Sequence, residues 1–286
     1  MNPRIRVLIA VLLLGACDAP KTSEGPAAGA DAAPSKASGA PPAVADGGAD
    51  AQSDNAGAAL PKAEDLLEKA VAAQGGREKI DALDSFYLEG ELLVSAQKIK
   101  GAMKLWWQAG DFYIEQTMVG IGTVRAGKQG DVIWSEDPIN GLRRLTGGEA
   151  EQQAWASTLS LPAHWKRYFE SAATTGQREI GGKKVYDVML TSKSGATVTL
   201  SLDAESGLQV AQSFKQTTPM GQMPMSTEFK DYRDVEGLKL PYLQVTDAML
   251  ATATQTLTKI ELGAKVDPTK FAMPTKGATV VRPASK

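Results

Sequence analysis

The sequence predicts a mainly β domain: an antiparallel meander with one apolar and one polar face, covered by a few helices. Three observations lead to that class. From residue 86 on, apolar residues recur at every second position instead of every third or fourth. Glycine-rich turn signals separate the alternating runs. Helical patterning is concentrated in 62–83 and 149–160, and a curved sheet with a greasy side needs covers of that kind.

The chain has 286 residues, a formal net charge of -2, 43% hydrophobic and 22% charged residues. That balance is ordinary for a globular chain and carries no basic signature of a nucleic-acid partner. Arg4 and Arg6 precede an apolar run from Val7 to Leu14, which ends in Leu14-Gly15-Ala16-Cys17. A basic start, a short apolar stretch and small residues before a cut describe a signal peptide over 1–16. The run is too short to stay in a bilayer as a spanning helix. The Leu-Gly-Ala-Cys ending resembles the lipobox of bacterial lipoproteins. That resemblance implies cleavage before Cys17, a diacylglycerol thioether on its sulfur and acylation of the new amine. The expected location is therefore the bacterial cell envelope, with the domain lipid-anchored on the periplasmic side, in the outer membrane rather than the inner. Cys17 is the only cysteine, so no disulfide within the chain is expected.

Residues 17–60 read as a disordered tether. Ala, Gly, Pro, Ser and Asp dominate, and the acids Asp18, Glu24, Asp31, Asp46, Asp50 and Asp54 outweigh Lys21 and Lys36. Such a stretch buries too little apolar surface to offset its ordering entropy. As a flexible coil it reaches roughly 35–40 Å. The folded domain is expected over 61–275, with 276–286 as a flexible tail.

Pro61 and Gly75-Gly76 bracket a first helix whose Leu66, Leu67, Ala70 and Val71 form one stripe. Glu64, Asp65 and Glu68 stand toward its N-terminal end, where the helix dipole favours them. A second short helix is expected over 77–83. Strands follow. Phe86, Leu88, Gly90, Leu92 and Val94 alternate with Tyr87, Glu89 and Glu91. Met103, Leu105 and Trp107 alternate with Lys104, Trp106 and Gln108, and Phe112 and Ile114 with Asp111, Tyr113 and Glu115. Val132 and Trp134 share a face of the next run. Ala109-Gly110 and Gly127-Lys128-Gln129-Gly130 read as turns, and Asn140-Gly141 as a tight one.

A helix is expected over 149–160, carrying Ala154, Trp155 and Leu159 and ended by Pro162, with a further helical turn over 163–169. The β pattern resumes at Tyr186, Val188 and Leu190, then Val198, Leu200 and Leu202, then Leu208, Val210 and Phe214. Gly181-Gly182, Ser194-Gly195 and 203–207 are the turns between. Residues 219–225 read as a loop rich in Pro and Met that leads into 226–233. A strand to Val245 and a last one over 252–262 follow, and Phe271 anchors the closing segment.

Several of these segments resemble the envelope lipoproteins built on the LolA/LolB-like fold. They are Trp134-Ser-Glu-Asp-Pro-Ile-Asn-Gly141 with Arg144-Leu145; Gly182-Lys-Lys-Val-Tyr186; Leu202-Asp-Ala-Glu-Ser-Gly-Leu208; Pro219-Met-Gly221; Asp231-Tyr-Arg-Asp-Val-Glu-Gly-Leu-Lys-Leu-Pro241; and Asp267-Pro-Thr-Lys-Phe271. The resemblance implies an incomplete antiparallel β-barrel of about eleven strands, a half-barrel whose concave apolar face is closed by helices. Members of that group carry lipoprotein acyl chains, bind glycolipids or sense misfolded envelope proteins.

Catalytic signals are poor. His164, the only histidine, has no nucleophile motif beside it and reads as a helix-end residue. Glu136 and Asp137 could do acid–base work, but they sit in a turn before Pro138, which explains them. No phosphate loop or G-x-S-x-G is present. One histidine and one lipid-bound cysteine are too few for a zinc site, and no cofactor or metal is expected. Met220, Met223 and Met225 admit three roles: packing on the barrel rim, an adaptable lip for an apolar ligand, or a thioether site for Cu(I).

The expected function is non-enzymatic binding of an apolar ligand, the acyl chains of a lipid or lipoprotein, in lipid or lipoprotein trafficking. Candidate cavity residues are Phe86, Leu88, Met103, Leu105, Trp107, Phe112, Trp134 and Trp155; for Trp107 and Trp155 plain core packing is the competing role. The alternative is an anchored sensor or scaffold whose barrel is filled by its own side chains and which binds protein partners. A cavity of several hundred cubic ångströms between sheet and helices separates the first from the second.

Overall fold

Pro61 and Gly75 bracket the first helix, α1, over Ala63–Gln74, with Leu66, Leu67, Ala70 and Val71 all buried. The computed structural model describes residues 59–95, 97–218, 221–248 and 251–275; Cys17, the 17–58 stretch, Met220 and the 276–286 tail lie outside it. A short α2 (Arg77–Asp81) follows and buries Ile80.

From there the chain weaves outward. β1 (Ser85–Val94), β2 (Ile99–Gln108), β3 (Asp111–Met118), β4 (Gly122–Gln129), β5 (Val132–Asp137) and β6 (Gly141–Arg144) pair in sequence order to one edge of the sheet. A helical crossover then runs through α3 (Gly147–Ala156), α4 (Leu161–His164) and a 3-10 turn, Trp165–Arg167. The chain re-enters at the opposite edge. β7 (Ser171–Ile180), β8 (Lys183–Thr191), β9 (Thr197–Asp203), β10 (Gln209–Thr218), β11 (Gly221–Val235), β12 (Leu238–Ala248) and β13 (Ala251–Leu262) weave back until β13 pairs with β1. The result is one antiparallel sheet of thirteen described strands with β6 and β7 as its two free edges, so the barrel is open. Thirteen replaces the eleven that the family resemblance implied.

Four sequence expectations change. The glycine-rich 127–130 stretch is a turn only at its end, where Gly130 and Asp131 link β4 to β5: Gly127 lies inside β4, directly opposite Trp134 on β5 and Tyr113 on β3. Its hydrogen side chain makes room for the indole, because a Cβ there would stand 2.6–2.7 Å from three indole atoms. Residues 221–225 are strand and not loop. Pro224 pairs with Lys215 of β10, and pairing with β12 begins only at Met225, so the missing N–H falls where no second neighbour needs it. Pro162 does not end a helix; it is the second residue of α4, whose Ser160 cap accepts from the Ala163 N–H at 3.4 Å. β7 carries no apolar alternation because it is an edge, half exposed on both faces.

The two largest apolar clusters hold the helices to the concave face. One joins Leu66, Leu67 and Ala70 of α1 to Trp155, Leu161, Trp165 and Phe169 of the crossover and to Val188, Leu190, Val198 and Leu200 of β8 and β9. The other joins Phe86, Met103, Leu105, Phe112 and Ile114 to Ala126 and Ile133, with Ala150, Ala154 and Leu159 packed on it. On the convex side a ladder of Tyr87, Trp106, Tyr113 and Trp134 runs across β1 to β5 with centroids 5.0–6.1 Å apart. The C-terminal 3-10 turn Pro268–Phe271 lies over it. Trp134 Nε1 donates to the Phe271 carbonyl at 2.9 Å, and Lys270 Nζ sits 4.0 Å above the Trp106 ring. The Phe271 side chain is buried, as its expected role as an anchor requires.

The 203–207 turn is built on one carboxylate. Asp203 accepts from the N–H groups of Glu205 and Ser206 at 2.9 and 3.0 Å, and Lys183 Nζ stands 3.2 Å away. Burial alone would raise its pKa, but these backbone donors and the lysine together hold it below the ordinary 3.8. A carboxylate whose pKa falls on folding stabilises the protein above its unfolded pKa, and the contribution disappears as the pH drops through the lower folded value. Asp203→Asn is therefore expected to destabilise the protein at neutral pH and to flatten the loss of stability below about pH 4. Denaturant midpoints of both proteins between pH 7 and pH 2.5 check this; parallel curves across that range would contradict it.

Candidate ligand cavity

Between the two clusters the concave face is not filled. A cavity of about 300 Å³ runs under the crossover helices, at the small end of the range for ligand pockets. Its apolar wall is Phe86, Leu88, Met103, Leu105 and Ile114 from β1 to β3 with Leu257 from β13. Its roof is 155–162 of the crossover together with Ala70 and Gln74 of α1. Its floor comes from β10 to β13 and mixes Phe214, Met225 and Phe229 with Gln212, Thr227, Gln244, Thr246 and Gln255. None of the thirty lining residues is Asp, Glu, Lys, Arg or His.

Of the eight candidate residues, Phe86, Leu88, Met103, Leu105 and Trp155 line this cavity. Trp107 shares their face but stacks on Phe86 at 5.2 Å and 12° and does not reach the space. Phe112 lies deeper in the same cluster, fully buried. Trp134 is a correction. Side chains of paired residues share a face, and the register sets Trp134 with Gly127 and Tyr113, opposite Phe112 and Leu105. It belongs to the convex ladder under Phe271. Trp155 does both jobs assigned to it: it packs edge-on against Phe214 at 5.0 Å and lines the cavity.

The floor glutamines and threonines were not among the sequence candidates. Polar residues on a strand read as outward-facing, and these face inward. The signal was present in the period: Gln244 and Thr246 alternate in step with Leu240, and Gln255 in step with Leu257 and Ala253. Tyr232 also reaches the cavity and donates its hydroxyl to the Gln209 carbonyl; burial pushes this phenol well above its ordinary pKa, so it stays neutral.

The α3 end of the crossover is tied to the sheet at three points, the first being Glu151, whose carboxylate accepts from the Ser194 hydroxyl of the β8–β9 turn at 2.7 Å. Arg143 of β6 makes a two-pronged ion pair with Glu149 of α3, at 2.7 and 2.9 Å. Gln152 of α3 reaches the other half of the sheet. Its Nε2 donates to the Lys215 carbonyl at 2.6 Å and its Oε1 accepts from the Thr217 N–H at 2.8 Å. β9 pairs with β10 only as far as Phe214, so this amide takes the place of the next strand residue. The helix can come so close because its second residue is Gly148, where a Cβ would stand 3.0 Å from Thr217 Oγ1.

The remaining sequence candidates lie elsewhere. His164 ends α4 with Nδ1 3.9 Å from Asp81; burial and Arg167 push its pKa down. Glu136 pairs with Arg125 at 3.1 Å on the convex face. Asp137 accepts from the N–H groups of Ile139 and Asn140, as a turn-forming carboxylate does. Met225 lines the cavity and packs with Val94, Ala248 and Ala253, as part of a strand and not of a loop lip. Among the described residues there is no group of three or more His, Cys, Asp or Glu placed to hold a metal ion, and no helix long and apolar enough to cross a membrane.

No protein-family model and no curated protein matches the chain. Solved structures match its fold. A LolA superfamily protein from Nitrosomonas europaea superposes with a TM-score of 0.52 at 14% identity, covering 74% of this chain and 98% of the other. A DUF1329 family protein from Desulfovibrio piger superposes with a TM-score of 0.53 at 11% identity, over 74% of this chain and 98% of its own. The domain has the LolA/LolB-like fold: an open antiparallel barrel with helices on its concave side.

Proposed function

We propose that this chain is a lipid-anchored protein of the bacterial envelope that sequesters an acyl chain, of a lipid or a lipoprotein, inside the half-barrel. The observation that carries the reading is the cavity between sheet and helices, lined by thirty residues without a charge. A scaffold that binds only proteins has no use for an unfilled interior. The large exposed apolar residues that such a scaffold would need are, among the described residues, only Leu60, Leu93, Val119 and Ile139.

Sequestration needs no chemistry. Each methylene moved from water into the cavity contributes about 0.8 kcal/mol, so eight to ten of them contribute roughly 6–8 kcal/mol before the ordering of the chain is subtracted. The cavity is partly open to solvent, so a chain can enter at its mouth, and the ties described above set how readily the roof over 155–162 moves to admit more of it. The lipid on Cys17 would hold the protein at a membrane, and a tether of roughly 35–40 Å would let the cavity reach the surface or stand away from it.

The test is mass spectrometry of organic extracts of the chain, made in a bacterial envelope with Cys17→Ser so that it takes no lipid of its own, and purified without detergent. The expected result is one co-purifying lipid or acyl species per chain, absent from a Leu105→Glu variant with an unchanged far-UV spectrum. A chain that stays empty after incubation with envelope lipids would overturn the reading and favour the protein-binding scaffold.

A further inference from the structure

The floor of the cavity says more about the ligand than the walls do. The side-chain amides of Gln244 and Gln255 are direct cross-strand neighbours on β12 and β13, both face the cavity, and neither has a hydrogen-bond partner among the described residues. Beside them the Thr227 and Thr246 hydroxyls stand 2.9 Å apart; one donates to the other, which leaves the second O–H and lone pairs open to a ligand. Gln212 continues the patch onto β10, facing Thr227 in the register. These five residues sit on four adjacent strands, across the cavity from Leu88, Met103, Leu105 and Ile114.

A patch of amides and hydroxyls in an apolar chamber has a definite chemical preference. It can donate to and accept from ester, amide and hydroxyl groups, whose hydrogen-bonding needs it meets in full. An ionised phosphate or carboxylate drawn to the same place would lose its water with no cation in the lining to replace it. Polar groups left unpaired inside an apolar chamber are costly, so a pure hydrocarbon would also be a poor occupant of this half.

Building on the acyl-chain reading above, we infer that the cavity selects a neutral amphiphile: one acyl chain along the β1–β3 wall and an uncharged ester- or hydroxyl-bearing head hydrogen-bonded to the Gln244–Gln255 pair. The volume, about 300 Å³, takes the head and the adjoining part of one chain, and the rest of a longer chain extends out through the open mouth.

The experiment uses two probes with the same chain, 1-oleoylglycerol and 1-oleoyl lysophosphatidate, each titrated below its aggregation threshold into the delipidated Cys17→Ser chain. Binding is read by native mass spectrometry and by displacement of radiolabelled 1-oleoylglycerol. The neutral lipid is expected to bind at least tenfold tighter, and in a Gln244→Leu/Gln255→Leu variant that advantage is expected to shrink to within about twofold. Equal or tighter binding of the lysophosphatidate overturns the neutral-head inference while leaving the acyl-chain reading standing. A tenfold advantage that survives the double substitution overturns the role of the glutamine pair. Binding of neither probe overturns the acyl-chain reading and the inference with it. The comparison in the unsubstituted chain does not depend on how the variant folds.

Discussion

Replacing Gly127 by alanine is expected to destabilise the domain by about 2–4 kcal/mol, combining overpacking of roughly 1–3 kcal/mol with loss of a buried hydrogen bond of about 1 kcal/mol. The new methyl would meet the Trp134 indole at 2.6–2.7 Å. The ring has nowhere to go. It is almost completely buried, its Nε1 is committed to the Phe271 carbonyl, and Tyr113 stands on its other flank. Relief of the clash must break the indole bond and unseat the Pro268–Phe271 turn. For a domain of this size the loss corresponds to a fall of roughly 5–15 °C in melting temperature. Tryptophan emission should shift to the red as Trp134 meets water. Adding Trp134→Leu should return part of the loss, because the two substitutions share one contact. A Gly127→Ala protein within 0.5 kcal/mol of the parent would show that the indole is not seated on this glycine.

Gln152→Leu is expected to loosen the roof at a cost of about 2–6 kcal/mol, since it strips the Lys215 carbonyl and the Thr217 N–H of their partner at roughly 1–3 kcal/mol for each orphaned group. Leucine matches the volume but can neither donate nor accept. The first signature is local: hydrogen exchange at the Thr217 amide should accelerate by more than tenfold while amides in β1 and β2 keep their protection. The second is functional: an acyl probe should leave the cavity faster, because the crossover is then held to the sheet mainly by the Arg143–Glu149 pair, the Ser194–Glu151 hydrogen bond and apolar packing. Gln152→Glu keeps an acceptor for Thr217 but sets a carboxylate against the Lys215 carbonyl, and should fall at least as far. Unchanged protection at Thr217 in the leucine variant would remove Gln152 from this role.

The elements most legible in the sequence are those whose apolar residues see one environment along their whole length. α1 shows its stripe and its Pro and Gly brackets because nothing but packing acts on it. β1, β2 and β3 show alternation because one face is core and the other is wet. Legibility fails where a residue answers to a neighbour distant in sequence. Gly127 looks like a turn residue, and only the register with Trp134 reveals it as a seat for an indole. Trp134 looks like an inward residue, and only the C-terminal turn that covers it makes the convex face a burial site. Pro224 looks like a strand breaker, and only its place beyond the reach of β12 makes it harmless. The cavity divides in the same way. Its apolar wall follows from period 2, whereas its glutamine floor is polar by type and interior by position, and no one-dimensional pattern joins Gln244 to Gln255.

The order of strands has a consequence for how the chain acquires its structure. Every strand pairing but one joins segments consecutive along the sheet-forming halves; the exception is the seam where Phe86 meets Leu262 and Val94 meets Ala253. Hairpins within each half close over short loops and form early, while the seam spans some 170 residues and must wait. Ribosomes deliver the chain from its N-terminus, so β1 emerges long before β13, the strand that covers it. Throughout that interval an unpaired ten-residue edge carrying Phe86, Leu88 and Leu92 is open to the wrong partner, in the same chain or in another. Refolding should accordingly end in a slow step that zips this seam, and substitutions within the β1–β13 ladder should retard folding more than equally costly ones in β8 or β9.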